Sequence, residues 1–236
     1  MVDGPYGRIT EEEILWDLGS RLEGRMAAAG METYLSHPRG MDADDSTRAY
    51  TANTFDADMM IALRTAHYRN DRAHGVASFH FGNTHGASSN IGRNLAGFIQ
   101  REIVARTPLT DCHYHGRTWD IVRLTRMATV QIDIGYTTNP HDAAVLALPQ
   151  MRDTIAEAIL VARDIATDVE ELQAALDAEP TAVARVEHTR ARASLPTAEA
   201  KEFAWQRFTG EAGSVAEAYV QAGTGASRII LLGVGE

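Results

Sequence analysis

The feature that most constrains this chain is the unbroken apolar run Met59-Met60-Ile61-Ala62-Leu63. It has the length of a strand, not of a helix. A strand apolar at every position, not at alternate ones, must be covered on both faces. That requires an α/β sheet with helices packed on it. Further strand patterns fall at Met31–Ser36, Gly75–Phe81 and Ala128–Gly135. Helical periodicities lie between them. Thr10 followed by Glu11-Glu12-Glu13 reads as a capping box, and Ile14, Leu18, Leu22 and Met26 then form one buried stripe that stops near Gly30. Further helices are predicted over Asp45–Phe55, Ser89–Ala105 and Met151–Ala166, with Ile91, Leu95, Phe98, Ile99 and Ile103 on the packed face of the second. Thr107–Met127 reads as mostly irregular, and Tyr136–Pro149 as a loop with Asn139-Pro140 as its turn. Alternation of this kind predicts a layered α/β domain over residues 1–166.

From Thr167 the pattern changes to a small helical appendage, residues 167–236, with helices expected at Glu170–Asp177, Thr181–Ser194, Thr197–Phe208 and Val215–Ala222. A single strand pattern follows at Arg228–Val234. The net charge of −10 argues against a nucleic-acid-binding body. The single cysteine, Cys112, excludes an intramolecular disulfide framework. No apolar stretch is long enough to span a bilayer, and Met1–Thr10 has no apolar signal core. The expectation is a cytoplasmic protein without a transmembrane segment.

Seven of the nine histidines fall between His67 and His141, and carboxylates sit at element ends. That is the donor chemistry of a metal hydrolase, although no H-x-x-x-H or HExxH spacing occurs. His67, His80, His113 and His115 are each open to a ligand or cleft role and to an ordinary solvated or satisfied one. Arg117, Arg123 and Arg126 are open to holding an anionic precursor or to plain surface charge. Cys112 reads as an idle thiol.

Several segments in order carry a resemblance. They are Glu11 to Leu18, Arg48 to Asn53 with Ala57 to Leu63, Gly75 to Leu95, and Val130-Gln131-Ile132-Asp133-Ile134-Gly135-Tyr136 running on to Asp142. Over about Gly7 to Ala166 the chain resembles the zinc-dependent N-acetylmuramoyl-L-alanine amidases of type 3. Through Trp16-Asp17-Leu18, Phe79-His80-Phe81-Gly82-Asn83 and His115 to Asp120 it is most similar to their actinobacterial CwlM-type branch. The resemblance implies a zinc held by two histidines and a glutamate, water activated to cleave the muramoyl–L-alanine amide, and a second glutamate as general base. Residue by residue, Glu11 matches the glutamate ligand, with Glu12 one place away. The second histidine falls on Arg64 and the general base on Asp133. The first histidine belongs to a strand expected before Gly7, so the N-terminal strand is expected to be missing.

Magnitudes turn this into an expectation about chemistry. A guanidinium about 5 Å from a dication repels it by roughly 7 kcal/mol at an effective dielectric of about 20, and arginine does not deprotonate. Asp133 is a methylene shorter than glutamate, and a displacement of about 1 Å costs on the order of 10²-fold in rate. No tight zinc site and no cofactor is expected. Two readings of Arg64 stand. In one it fills the vacated metal position and neutralises Glu11 and Asp133 by charge-assisted hydrogen bonds; in the other it points to solvent.

The resemblance implies a catalytically impaired amidase homologue of peptidoglycan metabolism, regulating cell-wall precursor synthesis through a protein partner. The alternative is an active zinc amidase acting on muropeptides with Glu11 and a rescuing histidine. The tail, in Ala193 to Lys201 and Ala204-Trp205, resembles the C-terminal helical repeats of actinobacterial zinc aminopeptidases without their catalytic motif.

Overall fold

A computed structural model describes the backbone of residues 2–4, 7–36, 39–40, 43–178, 185–186, 217–218 and 228–233, and the side chains of 8–36, 39–40 and 43–169. The chain divides into two compact units, residues 1–160 with 226–236, and residues 161–225.

The first unit is built on a six-stranded mixed sheet. Its strands are β3 (Glu32–Leu35), β4 (Met59–Ala66), β5 (Val76–Phe81), β6 (Asp111–Arg117), β7 (Ala128–Tyr136) and β10 (Arg228–Gly233), in the spatial order β3-β10-β4-β7-β5-β6. β3, β10, β4 and β7 are parallel, whereas β5 runs antiparallel to β7 and parallel to β6. A short antiparallel pair, β1 (Val2–Gly4) and β2 (Gly7–Ile9), stands outside this sheet. The α/β layering expected from the apolar run is therefore present, with β4 flanked on both edges and Met60, Ile61, Ala62 and Leu63 all buried.

Helix α1 (Glu11–Ala28) packs on β3, β4 and β10. Its stripe Ile14, Leu18, Leu22 and Met26 is fully buried, worth about 2 kcal/mol per side chain. Gly30 takes φ +83° just beyond the helix, where a residue with a Cβ is strained. Helix α2 (Asp45–Thr54) and the single turn α4 (Asp120–Arg123) cover the sheet face presented by Met60 and Ala62, with Ala52, Ile121 and Val122 in one apolar cluster. Helix α3 (Asn90–Arg106), capped by Ser89, packs on β5, β6 and β7 through Leu95, Ile99 and Ile103. Ile91 does not join them: it lies in the first turn of α3 and is 47% exposed.

Two segments differ from expectation. The stretch 107–127 contains β6 and α4. β6 is an edge strand with a polar sequence, and only its long-range pairing with β5 makes it a strand. The stretch 136–149 contains α5 (Pro140–Ala147): Asn139 is its N-cap, accepting from the backbone N–H groups of His141 and Asp142, and Pro140 is its first residue. Asn-Pro therefore starts a helix instead of making a turn.

Helix α6 runs from Pro149 to Ala178 and includes the expected helix at 170–177. The other expected tail helices lie outside the described residues, except at β8 (Arg185–Val186) and β9 (Glu217–Ala218). These form a short parallel pair where helix was expected; propensity is a weak prior that pairing overrides. The strand pattern near the end of the chain is realised as β10. It fills the interior position between β3 and β4, so those two strands do not face each other across a gap.

Candidate active site

The site forms where α1 begins and β4 and β7 end. Thr10 fixes the helix start: its Oγ1 accepts from the Glu13 N–H at 3.1 Å, while Glu13 Oε2 accepts from the Thr10 N–H at 2.8 Å. The bonds that Glu13 Oε2 accepts from the Thr10 N–H and from the Thr10 hydroxyl hold its carboxyl below the usual range. The cap leaves Glu11 as the first helical residue. Glu12 turns elsewhere, its Oε1 accepting from the Gly40 N–H at 2.9 Å.

Glu11 Oε2 lies 3.0 Å from His67 Nε2, and His67 Nδ1 lies 2.9 Å from Thr137 Oγ1. Arg64 and Asp133 are register partners across β4 and β7. Between that pair and the next, Ala66–Tyr136, β7 carries one residue more than β4, and Gly135 at φ +138° lies in this interval. Such a bulge re-aims the side chains beyond it, here Thr137. Asp133 accepts from Gln131 Nε2 at 3.1 Å. Burial pushes its carboxyl above the usual range, opposed by the nearby charge of Arg64 and by the Gln131 bond.

The expected direct bonds from Arg64 to both carboxylates are not made: among the described residues no ion pair joins Arg64 to Glu11 or to Asp133. Glu11 turns to His67 instead, because the loop after β4 carries that ring back onto the helix start. Arg64 is half-buried and acts on Asp133 only through its field.

The other sequence candidates stand apart. His80 is buried with Nδ1 against the Phe81 carbonyl at 2.9 Å, and burial lowers its pKa. His115 Nε2 lies 2.8 Å from the Cys112 carbonyl, and His113 lies 3.3 Å from Asp111. Burial raises the Cys112 thiol, which donates to the His74 carbonyl. Arg117 stacks on Phe79 and Trp119, Arg123 pairs with Asp120, and Arg126 anchors its backbone N–H on Asn53. Because β5 and β6 run against β7, Arg117 and Trp119 lie toward the end of the sheet away from Asp133.

Sequence reasoning missed Thr137, and it missed the role of Asp142. Asp142 is fully buried and accepts from the N–H groups of Gly75 at 2.6 Å and Tyr136 at 3.0 Å. It clamps the β4–β5 loop to the end of β7. Its match to the last position of the family segment was the available signal. Nothing in the sequence couples positions 67 and 137.

A zinc ion takes four protein ligands in a structural site, or three with one open position in a catalytic one. Here Glu11 and His67 face each other, Arg64 has no lone pair to give, and among the described residues no group of three His, Cys, Asp or Glu side chains is arranged to hold a metal. Among the described residues the donor set does not fit zinc. A groove of about 530 Å³ lined by Trp16, Arg39 and Arg152, among others, does not include Glu11, Arg64 or Asp133.

Fold and site together define an α/β amidase scaffold. Residues 3–163 match the N-acetylmuramoyl-L-alanine amidase family profile, and the chain belongs to that family. It is 62% identical over 162 residues to the N-acetylmuramoyl-L-alanine amidase CwlM of Mycobacterium tuberculosis, which covers 69% of this chain and 40% of that protein. The chain therefore spans well under half the length of that relative. In fold it is similar to the N-acetylmuramoyl-L-alanine amidase of Clostridium difficile 630, with a TM-score of 0.64 at 17% identity over 71% of this chain and 89% of that one. It is also similar to the catalytic domain of CwlV from Bacillus (Paenibacillus) polymyxa var. colistinus, with a TM-score of 0.60 at 16% identity over 72% and 90%. Membership places the chain in peptidoglycan metabolism. Among the described residues no helix is long and apolar enough to cross a membrane.

Proposed function

We propose that this amidase-family protein is catalytically impaired and works in the cytoplasm by binding, as a regulator of cell-wall precursor synthesis through a protein partner. The observation that carries the reading is the register of β4 on β7, which sets Arg64 opposite Asp133. Arg64 stands in this reading at a metal-ligand position, Asp133 at the general-base position, and Glu11 as the residual ligand. A permanent cation at a ligand position repels a dication. The base position carries a side chain one methylene shorter than glutamate, which sets its carboxyl back from where a glutamate would reach. The interior strand β10, with the sequence Arg-Ile-Ile-Leu-Leu-Gly, brings no histidine or carboxylate to the sheet.

The test is hydrolysis of a purified muropeptide, followed by release of its stem peptide, with and without added zinc and with EDTA. The expected result is no turnover above buffer. The 3.0 Å approach of His67 to Glu11 favours one other reading, an active zinc amidase using that pair; chelator-sensitive turnover would establish it. The regulatory role predicts that D133A supports growth of cells depleted of the native protein as well as wild type does. Failure of D133A to complement, with normal abundance, argues for chemistry at this site.

A further inference from the structure

We propose that Glu11, His67 and Thr137 form a latch that ties the start of α1 to the two loops beyond β4 and β7, using up the donors that a metal would need. This deepens the impaired-centre reading and rests on it. With its proton on Nε2 the imidazole donates to Glu11, while Nδ1 accepts from the Thr137 hydroxyl. Both ring nitrogens are then satisfied at 3.0 and 2.9 Å.

The partners come from three separate elements. The two loops are already joined to each other: Thr137 N–H donates to the Ala66 carbonyl at 3.0 Å, Tyr68 N–H to Thr138 Oγ1 at 3.2 Å, and Asn139 Nδ2 to the Asp71 carbonyl at 2.6 Å. His67 carries the tie onward to the helix. Glu11 is 19% exposed and His67 51%, so the bond is shielded from water on the carboxylate side and open to it on the imidazole side. Among the described residues a zinc ion at this place finds two protein donors, each with a partner to give up, and the Arg64 charge nearby on β4.

The test uses the whole chain, with E11Q and T137V beside wild type. Protein equilibrated with zinc and then desalted is assayed for metal content, melted with zinc and with EDTA, and followed by hydrogen exchange. A latch predicts no stoichiometric zinc and a melting temperature unmoved by zinc or EDTA. Both variants melt about 2–4 °C lower, and the amides of residues 67–72 exchange about tenfold faster, as expected for losing one such bond. T137V touches neither carboxylate, so it tests the tie even if E11Q folds poorly. One zinc per chain with a raised melting temperature overturns the proposal, as do variants that melt and exchange like wild type. Muropeptide turnover by metal-free protein defeats the impaired-centre reading instead, while melting and exchange still decide the latch.

Discussion

Replacing Asp142 by alanine should be among the most damaging single changes in the first unit. The carboxylate is fully buried and accepts from two backbone N–H groups, Gly75 at 2.6 Å and Tyr136 at 3.0 Å. A hydrogen bond to a charged group contributes about 1.5–3 kcal/mol, and a buried donor left without a partner costs about 1–3 kcal/mol. These overlap as descriptions of one loss, so D142A is expected to cost about 3–5 kcal/mol in all. With a urea m-value of about 2 kcal/mol/M, the unfolding midpoint falls by about 1.5–2.5 M. Both N–H groups donate to the same oxygen, Oδ2; D142N can keep an amide oxygen there but loses the charge, so it should fall between wild type and D142A. The assay is urea unfolding by far-UV circular dichroism, with m compared across the three proteins. A midpoint shift for D142A under about 0.3 M at unchanged m, less than 1 kcal/mol on the same m-value, would refute the reasoning, because both N–H groups would then have found other partners at little cost.

Three further outcomes are expected. Asp133 has its carboxyl raised by burial, so the native state holds that proton more tightly than the unfolded chain. The resulting stability is full below the unfolded value of about 3.9 and is lost as pH rises through the raised native value; D133N should therefore gain on wild type at neutral pH and not in acid, as read from midpoints across pH. Gly75 sits at φ +104°, and a Cβ there would lie 2.4 Å from the Thr110 carbonyl oxygen and 2.7 Å from Cys112 Sγ; G75A is expected to cost about 3 kcal/mol or more, checked by thermal unfolding and soluble yield. T10A removes the acceptor of the α1 capping box and should cost about 1 kcal/mol, a loss that T10S largely restores.

The parts of the fold legible in the residues were those set by local physics. Four apolar positions at helical spacing gave α1 its buried stripe, Thr10 and Glu13 its cap, and Gly30 its end. The run from Met59 to Leu63 demanded a strand covered on both faces, and β4 is one. The site was legible only as a set of positions. Glu11, Arg64 and Asp133 were named from the order of the segments, but which of them touch was not, since Glu11 meets a histidine outside that set.

What the sequence determined alone was therefore whatever is decided within a few residues: periodicity and caps. Tertiary structure decided what depends on pairing between distant segments. The polar stretch from Asp111 to Arg117 becomes a strand only because β5 lies beside it. Arg228 to Gly233 enters the sheet interior only because β3 and β4 leave a place there. His67 reaches Thr137 only because β4 and β7 run parallel with one residue of slack at Gly135. Hydrogen bonds across a sheet have no range in sequence, so no local pattern encodes their partners.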